Sequence, residues 1–144
     1  MAILFYKKND KQRLYLYNDK NDFLLDIYEF DNEKEFSIEF IHSVNKSPVI
    51  DYYTIDDNNN IIITKTTYFG FGAGVQTELN DNEQIEYGNN GEMTVTNINK
   101  VISPLIYIVG TVSHHTININ NKNIILDEKY GKNTHIRFEV KGGI

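Results

Sequence analysis

Cysteine is absent from the 144-residue chain. That excludes disulfides, thiol nucleophiles and zinc sites built on thiolates. Proline occurs twice and glycine nine times, too sparsely for a low-complexity or disordered chain. Arginine occurs only as Arg13 and Arg137. With 20 acidic residues against 14 Lys plus Arg, the net charge is −6. Affinity for nucleic acid comes mainly from clustered Lys and Arg, and no basic stripe interleaved with aromatics is present, so nucleic acid is excluded as a partner. Anionic membrane surfaces are disfavoured on the same ground. No run approaches the roughly 18 apolar residues of a transmembrane helix, and no signal peptide is visible. Met1 to Tyr6 is nonetheless apolar and reads as a first strand, or as the stretch just after a removed anchor.

Isoleucine and asparagine dominate what is there, with twenty Ile and nineteen Asn, and ten Tyr and eight Phe beside them. Ile and the aromatics favour pleated, half-buried surfaces, and Asn favours turns. Hydrophobic residues make up 40% and charged residues 24%, ordinary values for one globular domain of residues 1–144 with its own core.

Period-two alternation runs along the chain and helical periodicity is nearly lacking. Strands are predicted over Leu14–Tyr17, Phe23–Glu29, Glu35–Ser43, Val49–Ile55, Ile61–Phe69, Glu92–Asn97, Ser103–Val109, Thr111–Ile119, Lys122–Leu126 and Thr134–Val140. Gly70 to Gly74 is a glycine-punctuated segment, Asn80 to Gly91 a polar loop, and Gln76–Asn82 room for one helical turn. About ten short, mainly antiparallel strands make the chain all-β, a sandwich or barrel.

Four constellations bear on chemistry. His42 and Ser43 end one alternating strand, and Asn45, Lys46 and Ser47-Pro48 lead into the next, a hairpin pattern. An even turn centred on Asn45-Lys46 sets His42 opposite Val49. Asp51 then lies one diagonal step from His42 on the same face, where a carboxylate can orient an imidazole. An odd turn dissolves the pair, and the plain alternative is a histidine satisfied by one hydrogen bond. Gly70, Gly72 and Gly74 allow positive φ, and their N–H groups could cradle an anion; a strand-ending bend is the plain alternative. In Ser113-His114-His115-Thr116, His115 shares parity with Ile117 and points inward, whereas His114 points out. His42, Asp51 and His115 together could supply three metal ligands, although no spacing demands it. Asp56 to Asn60 looks superficially like a calcium loop but lacks the glycine and distal glutamate, and reads as a solvated turn. Ser43 sits in no Gly-x-Ser-x-Gly elbow.

His42-Ser43-Val44, Ser47-Pro48-Val49, Asp51-Tyr52-Tyr53, Phe71-Gly72-Ala73-Gly74-Val75 and His115-Thr116-Ile117, in that order, resemble the bacterial domain-of-unknown-function family numbered eighteen-fifty. The resemblance runs from about residue 23 to 140. It implies a small extracytoplasmic domain at the cell surface or in the periplasm, held in the full-length protein by an N-terminal signal or membrane anchor. Members are often encoded beside tripartite ATP-independent periplasmic transporters of the TAXI branch, so it also implies a membrane transporter or its solute-binding protein as partner. Asn45 and Asp51 stand where the family commonly has glutamates, which removes one charge and shortens the reach of another. The match strengthens His42, Asp51, Gly72, Gly74 and His115 as ligand-binding candidates.

With no complete catalytic motif, the leading expectation is a non-enzymatic accessory or binding domain without a cofactor, with room for a small-molecule ligand. The second is a small enzyme or a metal- or anion-binding domain using His42, Asp51, His115 and the Gly72–Gly74 backbone. It requires His42, Asp51 and His115 to share one pocket. The third is a structural surface module.

Overall fold

The computed structural model describes residues 11–44, 46–70, 78–80 and 82–143. The strands are β1 (Arg13–Asn18), β2 (Leu24–Glu29), β3 (Glu35–Ile41), β4 (Pro48–Ile55), β5 (Ile61–Phe69), β6 (Gln84–Tyr87), β7 (Glu92–Thr96), β8 (Lys100–Val101), β9 (Leu105–Val109), β10 (Thr116–Ile119), β11 (Lys122–Ile125) and β12 (Thr134–Lys141). One short helix, α1 (Leu126–Tyr130), follows β11. The smaller sheet has the order β2-β1-β12-β9. The larger has the order β11-β10-β3-β4-β5-β7-β6, with β8 paired to β5. Every described pairing is antiparallel.

The two sheets face each other as a sandwich, and alternation explains which residues lie between them. Leu14, Leu16, Ile136 and Phe138 from the smaller sheet meet Phe36, Ile38, Ile117 and Ile119 from the larger, all essentially without exposed surface. Burying each such side chain stabilises by about 1.5–3 kcal/mol. Phe36 stacks on Tyr53 at 5.0 Å and on Phe138 at 6.3 Å, which ties both sheets through one ring.

Asparagine does the work its abundance foretells. Six of the nine described non-glycine residues with positive φ are Asn, because its short polar side chain tolerates the left-handed region. Asn120 and Asn121, at φ 51 and 60, form the two-residue turn between β10 and β11, the geometry that matches strand twist. The Asp56 carboxylate accepts the N–H groups of Asn58 and Asn60 and the Asn60 side-chain amide. It closes its own turn.

Several expectations are corrected. The polar loop over residues 80–91 contains β6, whose Ile85 pairs with Val95. β8 was not foreseen. The strand expected over Thr111–Ile119 begins only at Thr116, because Gly110 turns left-handed at φ +76 and the following residues are held by a side chain. Leu126 opens α1 rather than closing β11. The Met1–Tyr6 strand lies outside the described residues, as do positions 76, 77 and 81 of the expected Gln76–Asn82 turn; residues 78–80 and 82 are not helical. Among the described residues no helix is long and apolar enough to cross a membrane.

Candidate functional site

The β3–β4 hairpin decides the first question. Ile41 pairs with Pro48 and Phe40 with Val49, so the turn is even but centred one residue earlier than expected. Asp51 therefore sits opposite Ile38, while the His42 N–H donates to the Ser47 carbonyl at 2.8 Å. The expected diagonal step is corrected to four residues of strand, about 13 Å. His42 Nδ1 accepts the Val44 N–H at 3.1 Å, a local turn contact. Ser43 is exposed beside it.

Asp51 instead reaches across the sandwich. Its Oδ1 accepts the Thr66 hydroxyl from β5 at 2.9 Å, and its Oδ2 accepts the Tyr107 hydroxyl from β9 at 2.5 Å. Tyr107 gives its only proton to Asp51, so the 2.6 Å contact between Tyr53 and Tyr107 has Tyr53 as donor. Asp51 and Tyr53 belong to the larger sheet and Tyr107 to the smaller, which makes this chain of hydroxyls a polar strut between the two layers. Burial pushes the Asp51 carboxyl above the ordinary carboxylate value, and its hydroxyl donors only partly oppose that. Burial first, then the nearby Asp51 charge, pushes the Tyr107 phenol up. Tyr68, on the same face, is raised by burial, Asp51 and Glu83.

His115 faces this cluster. Its ring stacks on Phe40 at 5.3 Å and meets the Tyr107 ring edge-on at 5.9 Å. Nδ1 accepts the Gly110 N–H at 3.2 Å, which places the proton of the neutral ring on Nε2. Burial holds its pKa below the usual histidine value. Tyr107 thus joins two of the expected residues, Asp51 and His115, and the hairpin register leaves His42 apart from Asp51. Gly72 and Gly74 lie outside the described residues. Gly70, at φ +73, abuts Ser47, whose Oγ would lie 2.5 Å from an added Cβ, so the end of β5 packs on the hairpin. Among the described residues no three His, Asp or Glu side chains converge as a metal site, which corrects the trio of His42, Asp51 and His115.

Two further clusters escape the sequence. Buried Asp127 of α1 accepts the His115 N–H at 2.9 Å and contacts His114 Nδ1 at 2.7 Å. This fastens the loop from Gly110 to His115. The hydrogen bond with Asp127 raises the pKa of exposed His114. Burial pushes Asp127 up, but His114 and the His115 N–H outweigh it and leave it below the ordinary carboxylate value.

At the opposite edge of the smaller sheet, Asp26 of β2 accepts the Tyr130 hydroxyl at 2.7 Å and lies 3.3 Å from the Tyr28 hydroxyl. The two phenols also hydrogen-bond each other. Lys129 Nζ stands 3.0 Å from Asp26 Oδ2 and 5.6 Å from each tyrosine ring centre. Burial pushes Asp26 up, but Tyr130, Lys129 and the Ile27 N–H outweigh it and leave it below its ordinary value. Tyr107 could have been found from its parity with Leu105 and Val109. The flanking Ile106 and Ile108 are apolar too, so that strand shows no contrast. Tyr130 and Lys129 carried no strand signal because they sit on the unforeseen helix.

No curated protein and no solved structure matches the chain. A family model does match, over residues 36–126, from β3 to the first residue of α1 and inside the 23–140 span of the motif resemblance. Asp51, Tyr53, Thr66, Tyr107 and His115 all fall in the matched stretch, which covers more than half of the chain. By that match, the chain belongs to the family described as Domain of unknown function (DUF1850).

Proposed function

We propose that this protein is a non-enzymatic accessory or binding domain, exposed outside the cytoplasm and serving a solute transporter. The observation that carries the binding role is the placement of Asp51. Its carboxylate is half-buried between the sheets and held by two hydroxyl donors. A general base oriented for proton transfer needs the base and its orienting group within hydrogen-bond reach. The hairpin register separates His42 from Asp51 by four residues of strand instead. A carboxylate with fixed donors on one side and spare lone pairs on the other suits recognition better than turnover. The location and the transporter are supported by the family resemblance.

The test is thermal melting of the purified protein against organic acids, amino acids, amines and metal ions, with Asp51→Asn in parallel. A ligand that binds the folded state raises the midpoint, by the equivalent of about 2.7 kcal/mol at a hundredfold excess over Kd. A shift seen in the native protein and lost in Asp51→Asn supports the binding role. Turnover of any added compound, or the absence of every shift, counts against it. For the transporter role, deletion of the gene should reduce uptake by the neighbouring transporter; unchanged uptake refutes that part.

A further inference from the structure

The molecule contains the same three-group arrangement twice. At each edge of the smaller sheet one aspartate accepts a tyrosine hydroxyl, and that tyrosine bonds a second one: Asp26 with Tyr130 and Tyr28, Asp51 with Tyr107 and Tyr53. At Asp26 the chain itself shows what completes the arrangement. The Lys129 ammonium sits on the carboxylate and over both rings, combining an ion pair with cation–π attraction. At Asp51, among the described residues, no lysine or arginine takes that place. A carboxylate accepts about four hydrogen bonds, and among the described residues Asp51 receives two. Phe40, Tyr68 and His115 add ring surface around it and, like Asp51 and Tyr107, are half-buried, whereas Tyr53 and Thr66 behind them are buried.

We infer that Asp51, Tyr53 and Tyr107 form a receptor for a primary ammonium group, the counterpart of the Lys129 site filled from outside the chain. The inference deepens the binding-domain reading and rests on it. Two surface clefts among the described residues, one bordered by Pro104 and Phe138 and the other by Ser37 and Tyr52, do not include Asp51. The group proposed to meet Asp51 is a single charged head. That chemistry belongs equally to a free amine and to a lysine side chain of a partner protein.

The experiment is an NMR titration of the isotope-labelled protein at neutral pH with propylammonium chloride. 1-Propanol serves as the neutral control, and Nα-acetyl-lysine methylamide with its side-chain-acetylated form represents a partner's lysine. Saturable shifts centred on Asp51, Thr66 and Tyr107 are expected with propylammonium and not with propanol. Asp51→Asn should weaken binding roughly 10- to 100-fold, the worth of a hydrogen bond to a charged group, and Asp26→Asn should leave it unchanged. Tighter binding of the lysine derivative identifies a partner protein, and tighter binding of propylammonium a free amine; both support the receptor. Should Asp51→Asn not fold, the native protein decides alone, because ammonium affinity must fall as acid protonates Asp51. No saturable shift at tens of millimolar, equal response to propanol, or affinity indifferent to Asp51 and to pH overturns the inference. If another solute from the melting panel binds at Asp51 while amines fail, the inference falls and the binding-domain reading stands.

Discussion

At the scale of single residues, Asp51 and Asp26 accept similar phenols yet titrate in opposite senses: burial dominates at Asp51, whereas at Asp26 the Tyr130 hydrogen bond and then Lys129 outweigh it. The raised Asp51 value has a thermodynamic consequence. Between about pH 4, where an unfolded aspartate titrates, and the higher folded value, the folded state holds a proton that the unfolded state has released. Stability contributed by Asp51 is then fully present below the unfolded pKa and is lost as pH rises through the folded one. Unfolding free energies of the native protein and Asp51→Asn, measured from pH 4 to 7, should show the native protein's relative stability declining as pH rises. An advantage that grows with pH would contradict this assignment. How far the site was legible also turns on single residues. The inward face of His115 followed from its parity with Ile117. The spacing of His42 and Asp51 did not follow, because one residue of turn register displaces a cross-strand partner by two positions and Asn45-Lys46 gave no stronger turn signal than Val44-Asn45.

At the scale of elements, the loop from Gly110 to His115 is the segment whose structure the sequence hid. Thr111, Thr116 and the isoleucines after it have strand propensity, but the loop's conformation is set by Asp127, which lies beyond the next hairpin. A long-range side-chain contact overrides local propensity in this way. The elements that were legible, such as β3 and β5, alternate or are rich in β-branched residues and end at Asn or Gly turns. The loop also makes a prediction. Gly110 and Gly91 both have positive φ, but a Cβ on Gly110 would lie 2.5 Å from Asp127 Cβ, whereas one on Gly91 would meet nothing within 4 Å. Gly91→Ala should cost about 1 kcal/mol from left-handed strain. Gly110→Ala should cost at least about 1 kcal/mol more, the worth of a disturbed buried hydrogen bond. Urea denaturation of both variants checks the difference; equal costs would mean that the loop is not clamped by Asp127.

At the scale of the whole molecule, the two aspartate–tyrosine struts tie opposite edges of the small sheet, β9 to the large sheet and β2 to the helix that extends it. Sites that share no partner act independently. Tyr107→Phe and Tyr130→Phe should each destabilise by about 1 kcal/mol, and their combination should be additive within about 0.5 kcal/mol. Strong coupling in the double variant would show that the sheets respond as one rigid body. The order of strands has a further consequence, which concerns time. β1 begins the described chain, yet inside the small sheet it lies between β2 and β12, and β12 alone joins β1 to β9. The β1–β2 hairpin made early in synthesis is marginal by itself. It must wait, with β9, until the chain has emerged through residue 141 before the layer opposite Ile38 and Ile117 can close. Until that moment the emerging chain exposes isoleucine-rich strands with no cover, which makes the last strand, rather than any site residue, the point at which a nascent molecule escapes aggregation.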